Sequence, residues 1–187
     1  RGVQMLFKNG DLTVSKIQEE DKYELAKWLS DPAVLEFYEG RDNPFDVKKV
    51  EEKFYSLDKD YVNSCIVTFK DIPIGYIQFY ELDKKTRELY GYETDDVIFG
   101  IDQFIGEVDY WNKGIGTLLV SRMVNYLITG RGAERVVLDP QISNKRAIKC
   151  YEKCGFKKVK LLPKHEWHEG EYRDCLLMEM KVGRRGN

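Results

Sequence analysis

The apolar positions of the chain recur at spacings that switch between those of a strand and those of a helix. Residues 12–17, Leu12-Thr13-Val14-Ser15-Lys16-Ile17, alternate like a half-buried first strand, and Leu25, Trp28 and Leu29 then share one face of a helix that Asp21 can cap. Pro32 breaks that helix, and Val34, Leu35 and Tyr38 mark a second short one. Asp46 starts a third, with Val47, Val50, Phe54 and Leu57 at inward spacing. Residues 61–70 and 74–81 read as two strands joined by an Asp71-Ile72-Pro73 turn, and 97–104 as the next strand. Beyond a glycine turn, Ile115, Leu118, Leu119, Met123, Leu127 and Ile128 outline a longer helix. The chain closes with a strand at 134–138, a helix at 145–154 and strands at 156–162 and 175–182. The fold class this order predicts is α/β, a mixed central sheet flanked by helices on both faces.

Composition narrows the function classes. At 187 residues the chain is expected to form a single domain over 1–187, with a core at about 12–182, and it can bury that core without disulfides or a metal. The first residue is Arg, so the natural start is expected upstream, and 183–187 are expected to form a frayed tail. No long apolar run and no signal segment occurs in the sequence, which predicts a cytoplasmic protein without a membrane partner. Cys65, Cys150, Cys154 and Cys175 form no CxxC pair and read as free thiols. His165 and His168 stand one residue short of the zinc-helix spacing, so no metal is expected. Neither histidine has an evident nucleophile beside it.

Two short stretches carry chemistry. In Tyr110-Trp111-Asn112-Lys113-Gly114-Ile115-Gly116, two glycines remove side chains at the start of a helix, where free N–H groups and the positive dipole end make an anion site. A lone GxG also describes an ordinary turn before a core helix. It is neither a dinucleotide fingerprint, because the third glycine would fall at Leu119, nor a P-loop. In the second stretch Asn144 can cap a helix with Ala147, Ile148 and Tyr151 on one side, and Gly155 can end it in a left-handed conformation.

On these residues the chain resembles the GCN5-related N-acetyltransferases. Their pyrophosphate loop is commonly Arg/Gln-x-x-Gly-x-Gly/Ala, and their next helix often reads Asn-x-x-Ala-x-x-x-Tyr-x-x-x-Gly-Phe. Asn144, Ala147, Tyr151, Gly155 and Phe156 meet the second pattern, while Trp111 stands where the first has Arg or Gln. The segments Leu35-Glu36-Phe37-Tyr38-Glu39-Gly40, Pro73-Ile74-Gly75-Tyr76-Ile77-Gln78, Gly100-Ile101-Asp102-Gln103-Phe104, Leu138-Asp139-Pro140 and His165-Glu166-Trp167-His168-Glu169-Gly170 are similar to those of aminoglycoside 6′-N-acetyltransferases, including the acetyltransferase half of the bifunctional resistance enzyme.

The resemblance implies the GNAT fold with a splayed acetyl-CoA-binding strand pair, and acetyl transfer from acetyl-CoA to an aminoglycoside 6′-amine, directly through a ternary complex. It further implies Asp102 as the base and Tyr151 as the acid that protonates the leaving thiolate; a phenol of ordinary pKa ~10 suits the second role, whereas a carboxylate of ordinary pKa ~4 is a weak base at neutral pH, so Asp102 is expected to hold and orient the ammonium and pass its proton through water. Cofactor contacts are implied at Gln103, Phe104, Ile105, Lys113, Gly114, Ile115, Gly116, Thr117, Asn144, Ala147 and Lys149, with Arg146 as a phosphate neighbour. Acceptor contacts are implied at Tyr38, Tyr80, Glu93, Asp95, Asp102, Asp139 and Asp174.

Charge agrees with that division although the net charge is only −2. Residues 90–110 hold Glu93, Asp95, Asp96, Asp102, Glu107 and Asp109 and no Lys or Arg, whereas 113–160 are rich in Lys and Arg. The basic half coincides with the glycine turn and the acidic half with the strand before it, which favours a cationic small molecule and argues against nucleic acid. A monomer or weak homodimer is expected. Acetylation of another amine or hydroxylamine, such as a siderophore precursor or a protein N-terminus, and a non-catalytic acyl-CoA sensor are the alternatives.

Overall fold

The computed structural model describes residues 4–183, so the expected tail from residue 184 onward lies outside the described residues. Eight strands form one mixed sheet: β1 (Met5–Asn9), β2 (Leu12–Lys16), β3 (Asn63–Phe69), β4 (Ile72–Glu81), β5 (Ile98–Ile105), β6 (Arg135–Leu138), β7 (Lys157–His168) and β8 (Glu171–Lys181). Their order across the sheet is β1-β2-β3-β4-β5-β6-β8-β7. Six α-helices accompany them among the described residues: α1 (Lys22–Trp28), α2 (Pro32–Leu35), α3 (Val47–Phe54), α4 (Lys84–Tyr90), α5 (Ile115–Arg131) and α6 (Lys145–Lys153).

Several boundaries depart from the sequence expectation, each for a local reason. The sheet begins earlier, with β1 hairpinned onto β2 around Gly10 (φ 58°), although β1 itself buries no side chain fully and the buried residues begin at Leu12. Pro32 opens α2 as well as ending α1, because Asp31 Oδ1 accepts from Ala33 N and Pro at the first helical position loses no bond. Asp46 caps α3 through Lys49 N, but α3 stops at Phe54, and Leu57 is left 83% exposed beyond it. The β3–β4 turn is Lys70-Asp71, both at positive φ (50° and 65°), the conformation a two-residue hairpin needs, so Ile72 and Pro73 belong to β4. Helix α4 was not anticipated; Asp83 caps it and Gly91 ends it at φ 83°. Strands β7 and β8 both run further than expected and meet at a tight Glu169-Gly170 turn.

Contacts divide the chain into two compact units, one holding residues up to 79, 102–116 and 168–171, the other 80–101, 117–167 and from 172 on. In the first, Leu25, Trp28, Leu29, Val34, Leu35, Phe45 and Val50 from the early helices and the segments joining them pack on Ile66, Tyr76 and Phe104 of the sheet. Tyr76 and Phe104 stack with centroids 5.6 Å apart. Arg41 grips Glu169 through two side-chain bonds and one backbone bond, which holds that carboxyl down to about 2. In the second, Leu82, Tyr90, Ile98, Val137, Leu162, Cys175 and Leu177 form the core. Along α5 the buried stripe is Ile115, Leu119, Val120, Met123, Val124 and Leu127.

Candidate active site

Strand β5 carries Asp102, and its two neighbours pair with it differently. On the β6 side the parallel ladder covers only Ile98–Gly100 against Arg135–Val137, while β5 runs on to Ile105. The parallel ladder therefore stops at Gly100, near the end of the four-residue β6. On the β4 side, the bonds Leu82 N to Ile98 O (2.9 Å) and Gly106 N to Ile74 O (2.7 Å) fix an antiparallel register. That register sets Tyr76 across from Phe104, Gln78 across from Asp102 and Tyr80 across from Gly100, all on one face because side chains alternate along a strand. Each pair makes contact: the first by stacking, the second by a hydrogen bond from Gln78 Nε2 to Asp102 Oδ2 (3.0 Å), the third by the Tyr80 ring lying on the glycine backbone. A Cβ at Gly100 would come within 2.6 Å of that ring, so only glycine leaves Tyr80 in place.

After β5, a one-turn 3-10 helix (Val108–Tyr110) leads into Trp111, Asn112, Lys113 and Gly114. Trp111, at the position where Arg or Gln is usual, donates Nε1–H to Ile105 O (2.8 Å) and lies edge-on to Phe37, so it ties the turn back to the strand end. Asn112 and Gly114 have positive φ (60° and 77°). A Cβ built on Gly114 or Gly116 would meet no protein atom within 4 Å. The turn thus leaves room against its backbone at the start of a 17-residue helix, which is what a pyrophosphate lying on free N–H groups requires. Lys113 is exposed beside it, above the Tyr110 ring.

Other implied cofactor residues divide by role. Phe104 and Ile115 point their side chains into the core, which leaves only their backbone for a ligand, whereas Gln103 and Ile105 are half-buried. Thr117 Oγ1 lies 3.4 Å from Cys150 Sγ. Asn144 caps α6 by accepting from Ala147 N (3.3 Å), as its motif position predicts, and Gly155 ends the helix at φ 98°. Arg146 and Lys149 are exposed on α6, while Tyr151 faces inward in ring contact with Phe156. Asp102 belongs to the first compact unit and Tyr151 to the second.

The implied acceptor residues are more scattered. Tyr38 is half-buried against Phe104 (centroids 4.6 Å). Glu93 and Asp95 are exposed. Asp174 is exposed and accepts from Lys164 N (2.9 Å), a bond that braces β7 against β8. Asp139 sits in a cluster that sequence reasoning missed: its Oδ2 accepts from Tyr90 Oη (3.1 Å) and lies 2.8 Å from His165 Nε2. The bond to Asp139 raises the pKa of His165 above its ordinary value, against the opposing effect of burial. Two of the six acids of 90–110 are committed elsewhere, Asp96 to Arg135 and Glu107 to Lys27 and Trp28, so the acidic segment is less open than its composition implies.

A mixed sheet with one short parallel pair, followed by a glycine turn that opens a long helix, is the architecture of an acetyltransferase domain. The chain belongs to that family: the Acetyltransferase (GNAT) domain matches residues 18–163. Its relatives are narrower in kind. It is 32% identical over 152 residues to aminoglycoside N(6')-acetyltransferase type 1 of Klebsiella pneumoniae, covering 80% of this chain and 76% of the relative. A kanamycin resistance protein of Rhizobium radiobacter is 42% identical over 66 residues, 35% of this chain and 61% of the relative. Among solved structures, aminoglycoside acetyltransferase AAC(6')-Ib in complex with coenzyme A and kanamycin aligns with a TM-score of 0.71 at 26% identity, covering 91% of this chain and 94% of that one.

Proposed function

We propose that this protein transfers an acetyl group from acetyl-CoA to the 6′-amine of an aminoglycoside, directly within a ternary complex, and so confers resistance. The observation that carries the reading is the likeness to aminoglycoside acetyltransferases over most of the chain. An open glycine turn and an acid held on the strand before it support the same conclusion. The cytoplasm, where acetyl-CoA is available, is its place of action.

When bound, acetyl-CoA supplies an activated thioester; Gly114, Gly116, Lys113, Asn144 and Lys149 are the residues that would hold it. Asp102 orients the acceptor ammonium and takes its proton, directly or through water, which frees the nitrogen lone pair for attack. Tyr151 holds a phenolic proton for a sulfur leaving group. Tyr38, Tyr80, Glu93, Asp95, Asp139 and Asp174 offer aromatic and anionic contacts suited to a polyamine. Of these, Tyr80 and Asp139 are the most firmly held.

Assay with acetyl-CoA across a panel of amines, with free thiol as the readout, tests this. Aminoglycosides with a 6′-amine should react, and analogues with a 6′-hydroxyl should not be acetylated there. Mass spectrometry that placed the acetyl group on another ring nitrogen, or turnover confined to hydroxylamines or peptide N-termini, would refute the assignment. Acetyl-CoA binding without turnover of any acceptor would leave the sensor alternative standing.

A further inference from the structure

Behind Asp102 runs a line of polar side chains on the same sheet face. Gln78 Nε2 donates to Asp102 Oδ2 (3.0 Å), the Tyr76 hydroxyl lies 2.7 Å from Gln78 Oε1, and Ser64 Oγ lies 2.9 Å from the Tyr76 hydroxyl. Strand register explains the alignment, since Ser64 pairs directly with Gln78 while Tyr76 stands two residues before Gln78 on β4. Proton counting fixes the polarity of the line. A carboxylate only accepts, so Gln78 must present its NH2 end to Asp102 and its carbonyl to Tyr76. Tyr76 therefore spends its single proton on Gln78 and accepts from Ser64. Tyr76 is fully buried, and burial drives its phenol far above the usual range, so it remains a donor throughout the working pH. The other ionisable groups around Tyr76 are Cys65 on β3 and Glu39, itself ion-paired with Lys53 of α3.

We propose that Ser64, Tyr76 and Gln78 form a one-way donor chain that orients the Asp102 carboxylate and keeps it ionised, a positioning role resting on the assignment of Asp102 as the base. A donor to the charged form favours that form, and a fixed amide removes rotamer freedom from the acid it touches. Without Tyr76 the Gln78 amide can turn its oxygen toward Asp102, which repels the anion.

The test pairs kinetics with a readout independent of turnover. Carbon-13 NMR of the side-chain carboxyls, recorded without acetyl-CoA, follows the Asp102 titration, with its signal assigned as the one lost in Asp102→Asn. Gln78→Leu should raise that midpoint by about one to two pH units, since a bond to a charged group contributes about 1.5–3 kcal/mol. It should lower kcat about tenfold while the acetyl-CoA Kd stays unchanged. Tyr76→Phe keeps the stacked ring and should act in the same direction but less. Ser64→Ala should act least, with Ser64→Thr, which retains the hydroxyl, behaving as wild type. An unmoved Asp102 midpoint in both Gln78→Leu and Tyr76→Phe, with Asp102→Asn inactive, would overturn the chain and leave the base standing. Normal turnover in Asp102→Asn would instead remove the base assignment and, with it, the purpose of the chain.

Discussion

Asp139 already has partners before any ligand arrives, and this makes its neighbour His165 a pH-sensitive part of the fold. His165 has a raised pKa because the protonated ring is held by the Asp139 carboxylate. A group whose folded pKa is raised adds stability in full below its unfolded pKa, about 6.5, and loses it as pH rises through the higher folded value. The melting-temperature gap between wild type and His165→Gln should accordingly be widest at about pH 5–6.5 and should close at alkaline pH. A gap that widened with rising pH would mean the ring is held neutral. The Tyr90, Asp139 and His165 cluster was invisible in the chain because its members lie far apart in sequence and no spacing rule links them. Asn144 and Gly155 were legible because a cap and a left-handed stop act within one helix.

Among the elements, the glycine turn carries the sharpest expectation. Gly114→Val places a branched side chain at φ 77°, and both Gly114→Val and Gly116→Val fill space that the protein itself leaves open. Calorimetry should show acetyl-CoA affinity lost in both while circular dichroism shows the fold kept; unchanged affinity in both would remove the turn from the site. Local patterning was a good guide wherever an element is well buried, as in β3, β4 and α5. It failed where burial is slight. Strand β7 is exposed along most of its length and shows no clear alternation to read, and α4 is a seven-residue helix whose only buried side chain is Tyr90. Leu57 shows the converse error, since helical spacing continued on paper past the point where α3 ends.

Across the whole molecule, the separation of acidic and basic stretches should appear as salt dependence. A polycationic acceptor attracted by Glu93, Asp95, Asp102 and Asp139 should show a KM that rises as the Debye length falls from about 10 Å at 0.1 M salt to about 3 Å at 1 M. A mono-amine acceptor should show a much smaller rise, and equal salt responses would exclude steering by the acidic residues. Asp96 and Glu107, ion-paired with Arg135 and Lys27, add little to that attraction. Most of the strands and helices, though not β1 or α4, together with the glycine turn and the α6 cap and stop, were determined by the sequence alone, because each depends on contacts within a few residues. Which acids remain available, how Tyr80 is held, and what stands behind Asp102 were decided only by the tertiary structure. Most of those contacts join residues on different elements, and the pairing of β4 with β5 that brings Gln78 to Asp102 is a register between strands, which no single segment encodes.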